Sequence, residues 1–378
     1  MDTKQIQLFV PSFRIEECLN EIRETFEVGW TGLGFKTTQF EDAWKSYTGL
    51  PHAHFLTSAT VGLHLAMRLL KQEGGWVDGD EVISTPITFV STNHAILYEN
   101  LKPVFADVDE SGCLDPDSVR QRITPKTRAV MFVGLGGNSG RLDRVKQICR
   151  ENGLRLILDA AHMAGTRVEG KSPGLDADVT VFSFQAVKNL PSADSGMICF
   201  RDGALDKLAR QLSWLGIDKD TFSRTMSGGA YKWYYDVPNL GFKYHGNSVM
   251  AAIALVQLKY LDADNAYRRQ IAAWYDELLE GEPVTFVGTA DDCESSRHLY
   301  QIRVDRRDDV LLALNQAGVF PGVHYRDNTE FSMYANQPFP CPNARRFSET
   351  VISLPLHLRL SRSDIERVCS IVSSVVKA

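Results

Sequence analysis

Two stretches of the chain put reactive side chains directly behind short apolar runs. Arg155-Leu156-Ile157-Leu158 leads straight into Asp159-Ala160-Ala161-His162. Val179-Thr180-Val181-Phe182 leads into Ser183-Phe184-Gln185-Ala186-Val187-Lys188, and the 28 residues between Asp159 and Lys188 allow a crossover and a return strand. A lysine amine can bond to a carbonyl cofactor and then shuttle protons. An aspartate can keep a pyridine nitrogen protonated, and a serine hydroxyl with backbone N–H groups can bind phosphate. Together these are the parts that a pyridoxal phosphate (PLP) enzyme needs. Taken singly, each has a plainer explanation: a lysine after a strand is usually solvated, and an aspartate there usually caps. On spacing alone the PLP reading is the minority one.

Other candidates are weaker. Gly134-Leu135-Gly136-Gly137-Asn138-Ser139-Gly140 follows a strand-like run and precedes a helical one, as a dinucleotide fingerprint would. Its glycines are spaced G-x-G-x-x-x-G, and no free acidic residue follows for a ribose, so a flexible turn is expected. His52, His54 and His64 do not pair with carboxylates at ligand spacing and are expected at the surface or on helices. Asp291-Asp292 reads as loop, Arg345-Arg346 as a solvated face, and no metal site is expected. The seven cysteines, at 18, 113, 149, 199, 293, 341 and 369, form no C-x-x-C pair. They fit a reduced compartment better than a disulfide framework.

The elements that must position Asp159 and Lys188 alternate in type. Helical spacing covers Glu16 to Val28, Thr37 to Thr48, Val61 to Gln72 and Leu142 to Asn152. Strand-like runs cover 81–84, 103–106, 129–133, 155–158 and 179–183. This alternation predicts an α/β domain with a largely parallel sheet, whose ligands sit beyond the carboxyl ends of the strands. Thr221 to Asp236 reads as loop and Ser248 to Tyr275 as one long helix. Leu299 to Val304, Asp308 to Ala317 and a helix from Ser361 predict a smaller α+β unit. A boundary near 250 divides the 378 residues into a large domain, 1–250, and a small one, 251–378. The net charge of −6 gives no bulk attraction to nucleic acid or an anionic membrane. No run of 18 apolar residues and no signal-peptide pattern occurs, so a cytoplasmic enzyme is expected.

The motifs, in order, resemble the DegT/DnrJ/EryC1/StrS family of sugar aminotransferases. They are Gly29-Trp30-Thr31-Gly32, Thr57-Ser58-Ala59-Thr60-Val61-Gly62, Thr85-Pro86-Ile87-Thr88-Phe89-Val90-Ser91-Thr92, Asp159-Ala160-Ala161-His162 and Ser183-Phe184 with Lys188-Asn189. Leu240 to Tyr244, Val323-His324-Tyr325 and Ile352 to Leu356 extend the match over nearly the whole chain. The resemblance implies PLP fold type I, with an aspartate aminotransferase-like large domain around a mostly parallel mixed sheet. It makes Lys188 the lysine that carries the cofactor and Asp159 the partner of its ring nitrogen, with His162 near the ring hydroxyl. It puts phosphate on the helix opened by Thr60 and Val61 and on Ser183, with Phe89 stacked on the ring. It also implies a homodimer with shared active sites, in which His245, at a position usually Asn or Arg, or Asn247 reaches the partner's phosphate. Trp30, Thr31, His324 and Tyr325 fall on the substrate side, but Arg326 to Phe331 departs from the family pattern. The implied reaction takes an amino group from L-glutamate, through the pyridoxamine phosphate (PMP) form, to a nucleotide-linked keto-sugar. A non-nucleotide keto-sugar or cyclitol is the alternative, ahead of a sugar dehydratase or a non-catalytic regulator.

Overall fold

The computed structural model describes residues 4–218, 235–335 and 338–377, so the loop expected over 221–236 lies almost wholly outside the described residues. The strands are β1 (His52–Leu56), β2 (Glu81–Ser84), β3 (Lys102–Phe105), β4 (Thr127–Val133), β5 (Arg155–Asp159) and β6 (Arg167–Val168). They continue as β7 (Val179–Ser183), β8 (Gly196–Phe200), β9 (Thr285–Phe286), β10 (Cys293–Glu294), β11 (Tyr300–Arg303) and β12 (Val351–Leu354). Seven form one sheet in the order β1-β8-β7-β5-β4-β2-β3. The run from β7 to β3 is parallel, and β8 is antiparallel to both of its neighbours. Alternate residues feed opposite cores: Phe55, Ile83, Val130, Phe132, Leu158 and Phe182 enter one, while Val82, Met131, Ile157, Val181 and Ile198 enter the other. Burial on both faces explains why these strands read as continuous apolar runs.

Two strands of this sheet had no such signature. β1 carries His52 and His54 among its apolar residues, and β8 opens on a glycine, yet both are largely buried. Gly196 is required because a Cβ there would come within 2.6 Å of the Ala59 nitrogen, where the helix Ala59–Gly74 begins. The close approach sets that helix start above the end of the sheet.

The expected long helix is in fact two, Ser248–Leu258 and Leu261–Leu278. At the break the Lys259 and Tyr260 N–H groups bond back three residues, to the Val256 and Gln257 carbonyls, which closes the first helix. Asp262 and Asp264 occupy the first turn of the second, where acidic groups favour a helix start. The N-terminal segment is clamped at this joint: Gln257 donates to the Ser12 carbonyl, and Arg14 makes two bonds to Asp264 at 2.9 and 2.6 Å.

A second, antiparallel sheet, β12-β11-β9, packs with the helices Leu261–Leu278, Arg307–Gln316 and Arg362–Val376 around Tyr275, Tyr300 and Ile302. The chain start belongs to this core as well, through buried Ile6 bridging Val319. All seven cysteines are free thiols. No helix among the described residues is long and apolar enough to cross a membrane.

Candidate active site

A cavity of about 620 Å³ opens at the carboxyl ends of β5 and β7, where parallel sheets place their ligands. Asp159 ends β5 and is buried, its Oδ2 accepting from the Thr92 hydroxyl at 2.8 Å and its Oδ1 from the Ala161 N–H at 3.1 Å. Burial pushes its carboxyl above the ordinary range, against the pull of those two donors and of Lys188. Lys188 follows the turn after β7. Burial lowers its ammonium to about 8, with Asp159 acting in the opposite direction.

Three imidazoles crowd the same space. The Gly136 N–H donates to His162 Nδ1 at 3.2 Å, which leaves the proton of the neutral ring on Nε2, 3.3 Å from the Tyr325 hydroxyl. His324 meets Ser353 Oγ at 2.9 Å. His298, which nothing in the sequence had singled out, stacks on Phe9 and lies 4.3 Å, ring to ring, from His162. Burial drives His162 and His298 well below 6.5, and it drives His324 to about 4, with nearby Lys188 adding to each. The glycine turn that imitates a dinucleotide fingerprint has a supporting role here. Gly136 adopts φ +66°, which only glycine takes readily, and both its N–H and its carbonyl point to site histidines, His162 and His298.

At the other side of the cavity the helix Ala59–Gly74 begins. Its first residues, Ala59 and Thr60, line the cavity, and the Val61 N–H meets the Ser58 hydroxyl at 3.3 Å. Ser183, at the end of β7, also lines the cavity. Phe89 stands at the rim, 59% exposed, 6.3 Å from the Tyr325 ring. The segment after Tyr325 that departs from the family pattern docks on the loop carrying Phe89: the Asn328 N–H donates to the Pro86 carbonyl at 2.9 Å, and its amide donates to the Thr88 carbonyl.

The structure thus brings Thr60, Phe89, Asp159, His162, Ser183, Lys188, His324 and Tyr325 onto one cavity. Val61, Trp30, Thr31, His245 and Asn247 do not line it. The Thr31 carbonyl accepts from the Ser248 N–H, Asn247 caps the helix Ser248–Leu258, and His245 packs 4.6 Å from the Trp214 ring. The expectation for His54 needs correcting, since it lies on β1, whereas His64 lies on the helix Ala59–Gly74 as expected. Both are buried, His54 against Glu41 and His64 against Glu99, because carboxylates distant in sequence fold onto them. Among the described residues no cluster could hold a metal ion.

The sequence profile of the DegT/DnrJ/EryC1/StrS aminotransferase family matches residues 13–373. The chain belongs to this family. It is an aminotransferase of a PLP-dependent class, and its fold is PLP fold type I. It is similar to the spore coat polysaccharide biosynthesis protein SpsC of Bacillus subtilis, 34% identical over 96% of this chain and 95% of that one. The aminotransferase TlmJ of Streptoalloteichus hindustanus superposes with a TM-score of 0.90 at 34% identity, covering 98% of both chains. Spr1654 of Streptococcus pneumoniae, solved in PLP and PMP forms, is 29% identical in the PMP form over 98% of both chains, with a TM-score of 0.90.

Proposed function

We propose that this aminotransferase moves an amino group from L-glutamate to a nucleotide-linked 3- or 4-keto-deoxysugar, in amino-sugar biosynthesis. The observation that carries the proposal is a single cavity bounded by Lys188, by buried Asp159 and by a helix N-terminus.

The residues present fit PLP. A buried carboxylate pushed toward its neutral form calls for a cationic partner, which a protonated ring nitrogen would be. The Ala59 and Thr60 N–H groups and the Ser183 hydroxyl would receive phosphate, helped by the helix dipole. Lys188 would carry the cofactor, with Phe89 and His162 against the ring. When bound, PLP supplies an electron sink that allows a hydrogen on the donor's α-carbon to leave as a proton. Lys188 would take that proton from the α-carbon and deliver it to the cofactor's aldehyde-derived carbon. It must be neutral to do so, and an ammonium lowered to about 8 leaves a usable fraction of free amine near neutrality. His324 and Tyr325 face the sugar.

The working form would be a homodimer in the cytoplasm. That His245 and Asn247 stay away from their own chain's cavity supports a role in the partner's, and the exposed Phe89 ring leaves a face for the partner to cover. A sugar acceptor is supported by the name of the Bacillus subtilis relative, a polysaccharide biosynthesis protein.

The test is a half-reaction. PLP-loaded protein mixed with L-glutamate should release one equivalent of 2-oxoglutarate, and a keto-sugar should then regenerate the starting spectrum. Release of no keto acid from any amino donor would overturn the proposal. Turnover with free keto-sugars or cyclitols, but with no nucleotide-linked sugar, would overturn the nucleotide part alone.

A further inference from the structure

His298 stands beside Lys188, and a chain of buried amides fixes its protonation pattern. Asn265 donates through Nδ2 to the Ala164 carbonyl at 2.9 Å, so its Oδ1 is the atom that faces Asn189. Asn189 donates through Nδ2 to that Oδ1 and to the Ser296 carbonyl, both at 2.7 Å. Two acceptors on Nδ2 leave Asn189 Oδ1 pointing at His298 Nδ1, 3.0 Å away. An amide oxygen can only accept, so the proton of the neutral imidazole lies on Nδ1. His298 Nε2 is then a bare lone pair, and it faces Lys188 Nζ at 3.5 Å. The ring has little freedom to turn away, being stacked on Phe9 at 5.3 Å with an interplanar angle of 7°.

We infer that His298 is a positioning residue for Lys188, accepting a hydrogen bond from its amine so that the amine's own lone pair is held toward the cavity. The inference rests on the proposed role of Lys188 as proton carrier. The contact is long, as such bonds often are before substrate binds. A proton-storing role fits less well. The groups that face His298 are Lys188, His162, His324 and Arg268, all of them basic, and no carboxylate among its partners would hold a proton on the ring. Lys188 itself is faced by Asp159, His162, His298 and His324.

Two measurements on the chain without PLP decide the matter. In the ¹⁵N spectrum of the histidines, the pair of resonances lost in His298→Phe should show a protonated Nδ1 and an unprotonated Nε2. The opposite tautomer would overturn the inference. The pH dependence of Lys188 modification by an amine reagent should shift down by about one unit in His298→Phe, because the lost acceptor stabilised the ammonium. His298→Gln, which keeps an acceptor, should restore most of that shift, and it also serves if the Phe variant fails to fold. A Lys188 profile unchanged in both variants would sink the idea. With PLP and donor present, proton transfer should slow by about 10- to 100-fold in His298→Phe. A wild-type chain that takes up no PLP would defeat the proposed function instead, which the two cofactor-free measurements do not depend on.

Discussion

Two groups of histidines, one lining the cavity and one paired with buried carboxylates, separate chemistry from stability in this molecule. Around the cavity, His162, His298 and His324 bond Lys188 and neutral groups, and among the described residues no carboxylate is bonded to any of them. Elsewhere, His54 bonds Glu41 at 3.0 Å and His64 bonds Glu99 at 2.9 Å. Glu41 also accepts from the Phe55 N–H and from Arg210, and these partners hold its carboxyl below 4.5 in spite of burial. An imidazole in such a network has its hydrogen bonds filled and contributes to the fold. Burial disfavours the charged form of the cavity imidazoles, and His298 keeps Nε2 for a neighbour's proton.

The largest expected effect breaks the structural pair. Glu41→Ala removes one partner from each of His54, Arg210 and the Phe55 N–H, and should cost about 3 kcal/mol in urea unfolding. Turnover by the folded fraction should stay within about twofold of wild type. A large loss of turnover with unchanged stability would erase the distinction between the two settings.

A smaller effect sharpens the contrast through pH. His324 has a folded pKa near 4 against an ordinary 6.5. As pH falls through that window the unfolded chain binds a proton that the folded chain refuses, so stability falls. For this part-buried ring the loss is about 2 kcal/mol, and His162 and His298 act in the same direction. Glu41 acts in the same direction in a lower window: its stabilisation is complete above 4.5 and is lost as pH falls through its lowered folded value. Urea midpoints measured from pH 7 to 3 should show His324→Gln flattening the limb between 6.5 and 4. Glu41→Ala should flatten only the limb below 4.5. A His324→Gln curve parallel to wild type across the upper window would contradict the assignment.

The same contrast governs what could be read from sequence. Asp159 and Ser183 end buried parallel strands and Lys188 stands in the turn beyond one, so the apolar runs point to them, and the family resemblance supplies their roles. His298 was not legible, because it precedes β11 of the three-stranded sheet and meets Lys188 only through the packing of Ser296 and Asn189. Its one signal was its place just before an expected strand. His54 and Glu41 were opaque for a similar reason, lying on a strand and a helix whose pairing no local spacing reveals. The break at Lys259 and Tyr260 carries no Gly or Pro to announce it; the N-terminal segment packed there helps set it.

Lys188 is the residue on which the account turns. Borohydride reduction of the PLP-loaded protein, followed by digestion and peptide mass spectrometry, should find the cofactor-derived mass on the peptide containing Lys188 and nowhere else. Lys188→Ala should carry none. A label on a different lysine, or no label on the wild-type chain, would contradict the account.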